Sequence, residues 1–260
     1  MTGGTAEEPG TELRDLRRQF LAVRALLADL TDQDLDLPTP AEGWAVRHQI
    51  AHLADTEEVA ADTVRGGPRT FAEAVRPYAD AEAFTAAGVA RAKDADLDTL
   101  TGRLVRAQDD TLAALESAGP DARVPWALGL SARAFARARL MESWAHAWDL
   151  ARALGIPEDP CGEVTPESRH VASLGYDTLP FALRRARVRP PGGHTLRLDL
   201  DAGRLGRWAF GPPDATDSVT GPAEAWLRTV TRRDLPAARE RLCAKGPLAE
   251  LALAHAKAFL

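Results

Sequence analysis

The stretch Met141–Leu154, MESWAHAWDLARAL, constrains this chain more than any other. Glu142 and His146 stand four apart and Asp149 follows three later, so on an α-helix the three side chains return to one face. The indoles of Trp144 and Trp148 on the same stretch argue for a packed helix. Yet an apolar interior rarely accepts Glu, His and Asp on its inward stripe, because burying them unpaired is costly. Two readings resolve the conflict: a divalent metal ion bound by the stripe, or an amphipathic helix whose acidic stripe faces water.

A partner for that helix is sought upstream. Thr11 can cap a helix running to about Leu30, with Leu13, Leu16, Phe20, Val23, Leu26 and Leu27 as its apolar stripe. Pro38 and Pro40 mark 31–43 as a loop. GWAVRHQIAHLADTEEVAADTVRG then reads as a helix over about 45–65, with His48, His52, Asp55 and Val59 sharing one stripe. Residues 69–96 read as broken helix, 97–117 as a helix burying Leu100, Leu104, Ala107, Thr111 and Leu115, and 121–130 as a loop. Ser131 is placed to cap the helix holding Glu142, and Gly155 and Pro157 to stop it. Residues 1–157 thus read as a bundle of four principal helices, which can assemble a metal site from inward side chains on different helices.

The character changes after a boundary in the 155–161 loop. Residues 166–187 read as one helix. HTLRLDL and RWAF alternate apolar with polar residues around Gly-containing turns, the pattern of short antiparallel strands, and DSVTG is a third strand. GPAEAWLRTVTRR and 247–260 read as helices, making 158–260 a small α+β domain.

A catalytic zinc site takes three protein ligands and keeps one position open. His52, in its apolar AHL setting, is the strongest partner for Glu142 and His146. His48 lies one turn earlier on the same face and is a candidate for the pocket wall rather than the metal shell, with a structural hydrogen-bonding role as the competing reading. His170, His194 and His255 lack such partners.

The net charge of −6 disfavours a nucleic-acid partner. The two cysteines, Cys161 and Cys243, do not form a CxxC pair. With no apolar signal core near the N-terminus and no apolar run of spanning length, no membrane partner is expected and a cytoplasmic location is. No motif fixes an oligomeric state.

GWAVRHQIAHL, followed about ninety residues later by ESWAHAWDLARALG, resembles the DinB-like helical bundles of actinobacteria. It is most similar in kind to the amino-terminal domain of mycothiol-dependent maleylpyruvate isomerase and its relatives. The similarity extends through RHVASLGYDTLPFAL, WAFGPP, VTGPAEAWLRTVTRR and AHAKAF to an actinobacterial metal-binding branch. The resemblance implies a mainly α protein, a DinB-like four-helix bundle followed by a small α+β domain. It implies His52, Glu142 and His146 as ligands of a divalent metal, zinc by type, and mycothiol-assisted isomerisation or thiol transfer on a small-molecule substrate. His48 departs from the family pattern, in which many relatives carry Asp at that place.

The chemistry also follows from the residue types. Zinc held by two His and one Glu leaves a position for thiol or water and can make thiolate at neutral pH. A hydrolase on the same site, with Asp149 or His48 as general base, is the second reading. A non-enzymatic metal or small-molecule binding protein is the third. Finally, Arg228, Arg232 and Arg233 end the helix in VTGPAEAWLRTVTRR. Arg232 is the foremost candidate to grip a carboxylate of an acidic substrate or a thiol cofactor such as mycothiol as an anion-binding wall, against a solvated helix end as the alternative.

Overall fold

The computed structural model describes residues 11–126, 129–156 and 164–259. The chain divides into two compact units, Met1–Pro157 and Glu158–Leu260.

Four long helices build the first unit: α1 (Thr11–Leu27), α2 (Val46–Arg65), α5 (Leu97–Ala118) and α6 (Ala132–Ala153), with short α3 (Phe71–Val75) and α4 (Ala81–Ala90) between the second and third. Helix α2 lies against α5 and α6, and α1 against α6 and α5, closing a four-membered ring. Leu16, Phe20 and Val23 of α1, Ile50 and Leu53 of α2, Leu104 of α5 and Phe135, Leu140 and Trp144 of α6 fill its interior. The spacing of three and four between these residues is what makes each segment an amphipathic helix with one stripe to bury. The caps agree with the pattern: Asp96 accepts the Thr99 N–H at 2.8 Å and Ser131 the Ala134 N–H at 3.2 Å. Helix α6 ends at Leu154, followed by Gly155 at φ 63°.

Helix α1 stops at Leu27, short of the expected Leu30. The Asp34 carboxylate accepts from both the N–H and the hydroxyl of Thr31 at 2.8 Å, which turns the chain early into a 3-10 turn, Asp32–Asp36. The 121–130 loop contains a two-residue antiparallel pairing, β1 (Arg123–Val124) with β2 (Leu130–Ser131).

In the second unit, 166–187 is two helices, α7 (Ser168–Asp177) and α8 (Leu179–Arg185). Pro180, in the first turn of α8, has no N–H to continue the ladder of α7, and the Thr178 hydroxyl bonds back to the Leu174 carbonyl at 2.7 Å. Strands β3 (Leu196–Asp201), β4 (Arg207–Phe210), β5 (Asp217–Pro222) and β6 (Cys243–Lys245) form a sheet in the order β4-β3-β5-β6. The β3–β4 hairpin is antiparallel as expected, but β5 runs parallel to β3. The segment after β4 returns to the start of β3, where the Asp217 N–H bonds the Thr195 carbonyl at 3.0 Å. Alternating Leu196, Leu198 and Leu200 put one sheet face in the core with Trp226 of α9 (Ala223–Thr231), whose indole donates to the Ala172 carbonyl of α7 at 3.0 Å. Gly175 permits that contact: a Cβ there would sit 2.5 Å from Val230. Helix α10 (Leu235–Glu240) and strand β6 were not expected from the sequence. The last helix, α11 (Pro247–His255), is shorter than 247–260.

Candidate metal centre

Helix α2 carries His52 and helix α6 carries Glu142 and His146, and the ring packing of the bundle brings the three together. His52 Nε2 lies 2.8 Å and His146 Nε2 3.3 Å from the same carboxylate oxygen, Glu142 Oε1. One donor atom from each residue falls within 4.8 Å of the other two, the one cluster of this kind among the described residues. The imidazole centroids are 4.7 Å apart. The side chains are 11% (His52), 12% (His146) and 23% (Glu142) exposed, so the donors sit in a recess that solvent still reaches.

Trp44 and Gln49 support the histidines, and neither was singled out from the sequence. Trp44 stacks on the His146 ring at 6.1 Å and meets the His52 ring edge-on at 5.3 Å. It is held there because its carbonyl accepts from the N–H and the hydroxyl of Thr39, at 2.8 and 2.9 Å. Gln49 is fully buried, one turn before His52. Its amide oxygen pairs with His146 Nδ1, while its nitrogen donates to Thr39 Oγ1 at 3.1 Å and to Asp149 Oδ2 at 3.4 Å. An amide oxygen can only accept, so Nδ1 carries the proton toward Gln49, and Nε2 is the nitrogen that faces Glu142. Outer partners orient metal-ligating histidines in this way. Both residues lie inside the GWAVRHQIAHL motif, but their partners at Thr39 and His146 are not local.

Burial opposes the charge on Glu142, but hydrogen bonds from His146 and His52, with their charges, outweigh it and hold the carboxyl well below the usual range. Behind it Arg139 is buried and bonds the fully buried Glu57 at 2.8 Å and Thr56 at 3.0 Å. The hydrogen bonds to Glu142 among the described residues thus come from imidazoles rather than a guanidinium. Two nitrogens and an ionised oxygen, one tautomer pre-set and no resident cation bonded to the carboxylate, are the donor set a divalent transition metal takes.

Three more side chains were expected at the site. His48 Nδ1 accepts the Ala45 N–H at 2.9 Å and closes the first turn of α2, the structural alternative to the pocket-wall reading. Asp149 is buried on the Nδ1 side of His146, 3.8 Å from that nitrogen and away from the edge facing Glu142, rather than at the opening where a general base would stand. Arg232 caps the C-terminus of α9 in the second unit. Trp144 and Trp148 belong to the packed interior.

Fold and site together define a class: a four-helix bundle carrying a two-histidine, one-carboxylate cluster, followed by a small α+β unit. The model of the mycothiol maleylpyruvate isomerase N-terminal domain matches residues 16–151, and the chain belongs to that family. Two relatives are the uncharacterised proteins Rv0036c and MT0041 of Mycobacterium tuberculosis, strains ATCC 25618 / H37Rv and CDC 1551 / Oshkosh. Each is 36% identical over 236 residues, 87% of this chain and 86% of the relative. Among solved structures, the chain resembles the mycothiol-dependent maleylpyruvate isomerase with a TM-score of 0.60 and a mutant form of it with 0.59. Both are 17% identical and cover 91% of this chain and 94% of the other. That likeness bears on the fold, which is the mainly α DinB-like architecture the motifs implied. No described helix is long and apolar enough to cross a membrane.

Proposed function

We propose that this chain is a metal-dependent enzyme of the mycothiol-dependent isomerase or transferase type, acting on a small molecule, with a divalent ion held by His52, Glu142 and His146. The observation that supports this most is the convergence of three donor atoms within 4.8 Å, from two helices, in a chain of the maleylpyruvate isomerase family. Zinc suits the donors best, and a zinc ion supplies Lewis acidity sufficient to keep a bound thiol as thiolate near neutral pH. The protein's own residues do the rest. Gln49 holds the proton on His146 Nδ1 and so keeps Nε2 available. Trp44 covers the two imidazoles on one side, excluding water from that flank and leaving the exposed carboxylate edge as the approach. Arg139 is spent on Glu57 rather than on Glu142, so the ligand carboxylate stays available.

This reading is favoured over hydrolysis because the two side chains expected as bases, His48 and Asp149, are engaged away from the donor edge. The test is calorimetric titration of mycothiol into zinc-loaded protein and into His146→Ala. Binding to the first that is lost in the second is expected. Equal affinity for both, or none for the zinc-loaded protein, would contradict the proposal. Turnover of maleylpyruvate that requires both zinc and mycothiol would then narrow the activity to isomerisation.

A further inference from the structure

In the second unit the C-terminal ends of α8, α9 and α11 meet around a cavity of about 340 Å³. Arg185 is the last residue of α8, Arg232 the cap of α9 and His255 the last residue of α11, with Lys257 just beyond. Phe181 and Phe259 form its apolar wall, and among the described residues no acidic side chain lines it. We propose that this cavity is a binding site for a small phosphate monoester carrying an apolar or aromatic body. The proposal stands apart from the metal-centre reading, since no residue of one belongs to the other.

The bland explanation is that basic residues at helix C-termini answer the helix dipoles. It falls short by charge. Each helix end carries roughly half a negative charge, so three ends offset only about half of the three full charges on Arg185, Arg232 and Lys257. Part of that work is also done by another cation: the Arg239 guanidinium donates to the Ala254 carbonyl at the end of α11, at 2.8 Å. The cavity therefore keeps an excess of roughly one and a half positive charges, before His255 is counted. Among the described residues Arg185, Arg232 and Lys257 have no carboxylate partner.

Burial and mutual repulsion both act on these charges. Burial first, then Arg232 and Arg185, pull the Lys257 ammonium below its usual value, and burial with Arg239 does the same to Arg232. The backbone adds a cost. Arg232 takes the left-handed conformation at φ 63°, at a helix end where glycine is the usual choice. The Arg232 side chain lines the cavity from that position.

The arrangement selects the ligand class. Three cationic groups come from three different helix ends rather than one planar fork, which suits a tetrahedral dianion better than a single carboxylate. Guanidinium groups chelate phosphate oxygens and the ammonium supplies a point charge. Phe181 and Phe259, the latter with the Lys257 ammonium 5.6 Å from its ring centroid, offer a surface for the ester's apolar part.

Phenyl phosphate is the probe. Calorimetric titration at low ionic strength should give one site per chain, with inorganic phosphate binding about tenfold more weakly. Arg185→Ala and Lys257→Gln should each lower the affinity at least tenfold, while Arg207→Ala, on the exposed edge strand β4, should not change it. Both site variants alter solvent-reached side chains, and an unchanged circular dichroism spectrum confirms that they fold. Vesicles containing phosphatidic acid, which presents the same chemistry as a lipid headgroup, should not bind; capture abolished by Arg185→Ala would support the phosphate site with a membrane source. No binding of phenyl phosphate at millimolar concentration, or equal affinity in wild type and both site variants, would overturn the proposal.

Discussion

Helix α2 carries two buried polar clusters one turn apart, and they are built on opposite principles. His52 joins Glu142 and His146, where a carboxylate is met by two imidazoles. Asp55, three residues on, is met by permanent cations: its Oδ1 takes Arg69 and Arg91 at 2.9 Å and Arg103 at 3.0 Å. Glu58 shares Arg69 and Arg103, both at 2.6 Å. Gly88 lets α4 pass this close, since a Cβ there would lie 2.9 Å from Asp55 Oδ2. The comparison teaches that burying a carboxylate does not by itself mark a ligand. Asp55 has its negative charge answered several times over and braces α2 against the 69–103 segment. Glu142 has its charge answered by groups that a metal ion could share.

The largest effect expected from breaking this contrast is at the brace. Asp55→Ala leaves three guanidinium groups without their common partner and should cost about 3 kcal/mol, lowering Tm by roughly 10 °C, with metal content of the folded fraction unchanged. Loss of metal in that variant would merge the two clusters into one.

The same carboxylate sets an acid limb. Burial alone would raise the Asp55 pKa, but the hydrogen bonds and charges of Arg69 and Arg91 carry it below its usual value. A depressed folded pKa means that the stabilisation is present above the unfolded carboxylate pKa and is lost as pH falls through the folded value. Urea unfolding at stepped pH should therefore show stability declining below about pH 4, and Asp55→Asn should flatten that decline. An unaltered acid limb in Asp55→Asn would remove the brace from the account.

A smaller effect is expected behind the candidate metal centre. Gln49→Leu removes the acceptor that fixes His146 and should weaken metal affinity tenfold to a hundredfold, measured by competition with a chromophoric chelator. Unchanged affinity would make Gln49 a packing residue only. Smallest of all is His48→Ala, which deletes the bond to the Ala45 N–H and should cost about 1 kcal/mol without altering metal content. A drop in metal content would return His48 to the centre.

The shared face of Glu142 and His146 and the four long helices were legible because both depend on local spacing. Glu142 and His146 are four apart on one helix, and Leu100, Leu104, Ala107, Thr111 and Leu115 are all buried on α5 as their period requires. What periodicity cannot supply is the identity of a distant partner. His48, His52 and Asp55 share one stripe, yet their fates are decided by Ala45, Glu142 and Arg91, from one helix start and two other helices. Gln49 and Trp44 were overlooked for the same reason. In the second unit the alternating leucines disclosed β3, but the parallel direction of β5 depends on a return across the sheet, and three-residue β6 carries too little pattern to be read.

Metal analysis of purified protein beside His146→Ala tests the central claim most directly. About one divalent ion per chain is expected in the wild type, with the ion largely lost in the variant and Tm no longer rising when zinc is added, because only a ligand-competent folded state gains from binding. A His146→Ala protein that keeps full metal occupancy, or a wild type that takes up none when zinc is supplied, would contradict the assignment of His52, Glu142 and His146 as a metal centre.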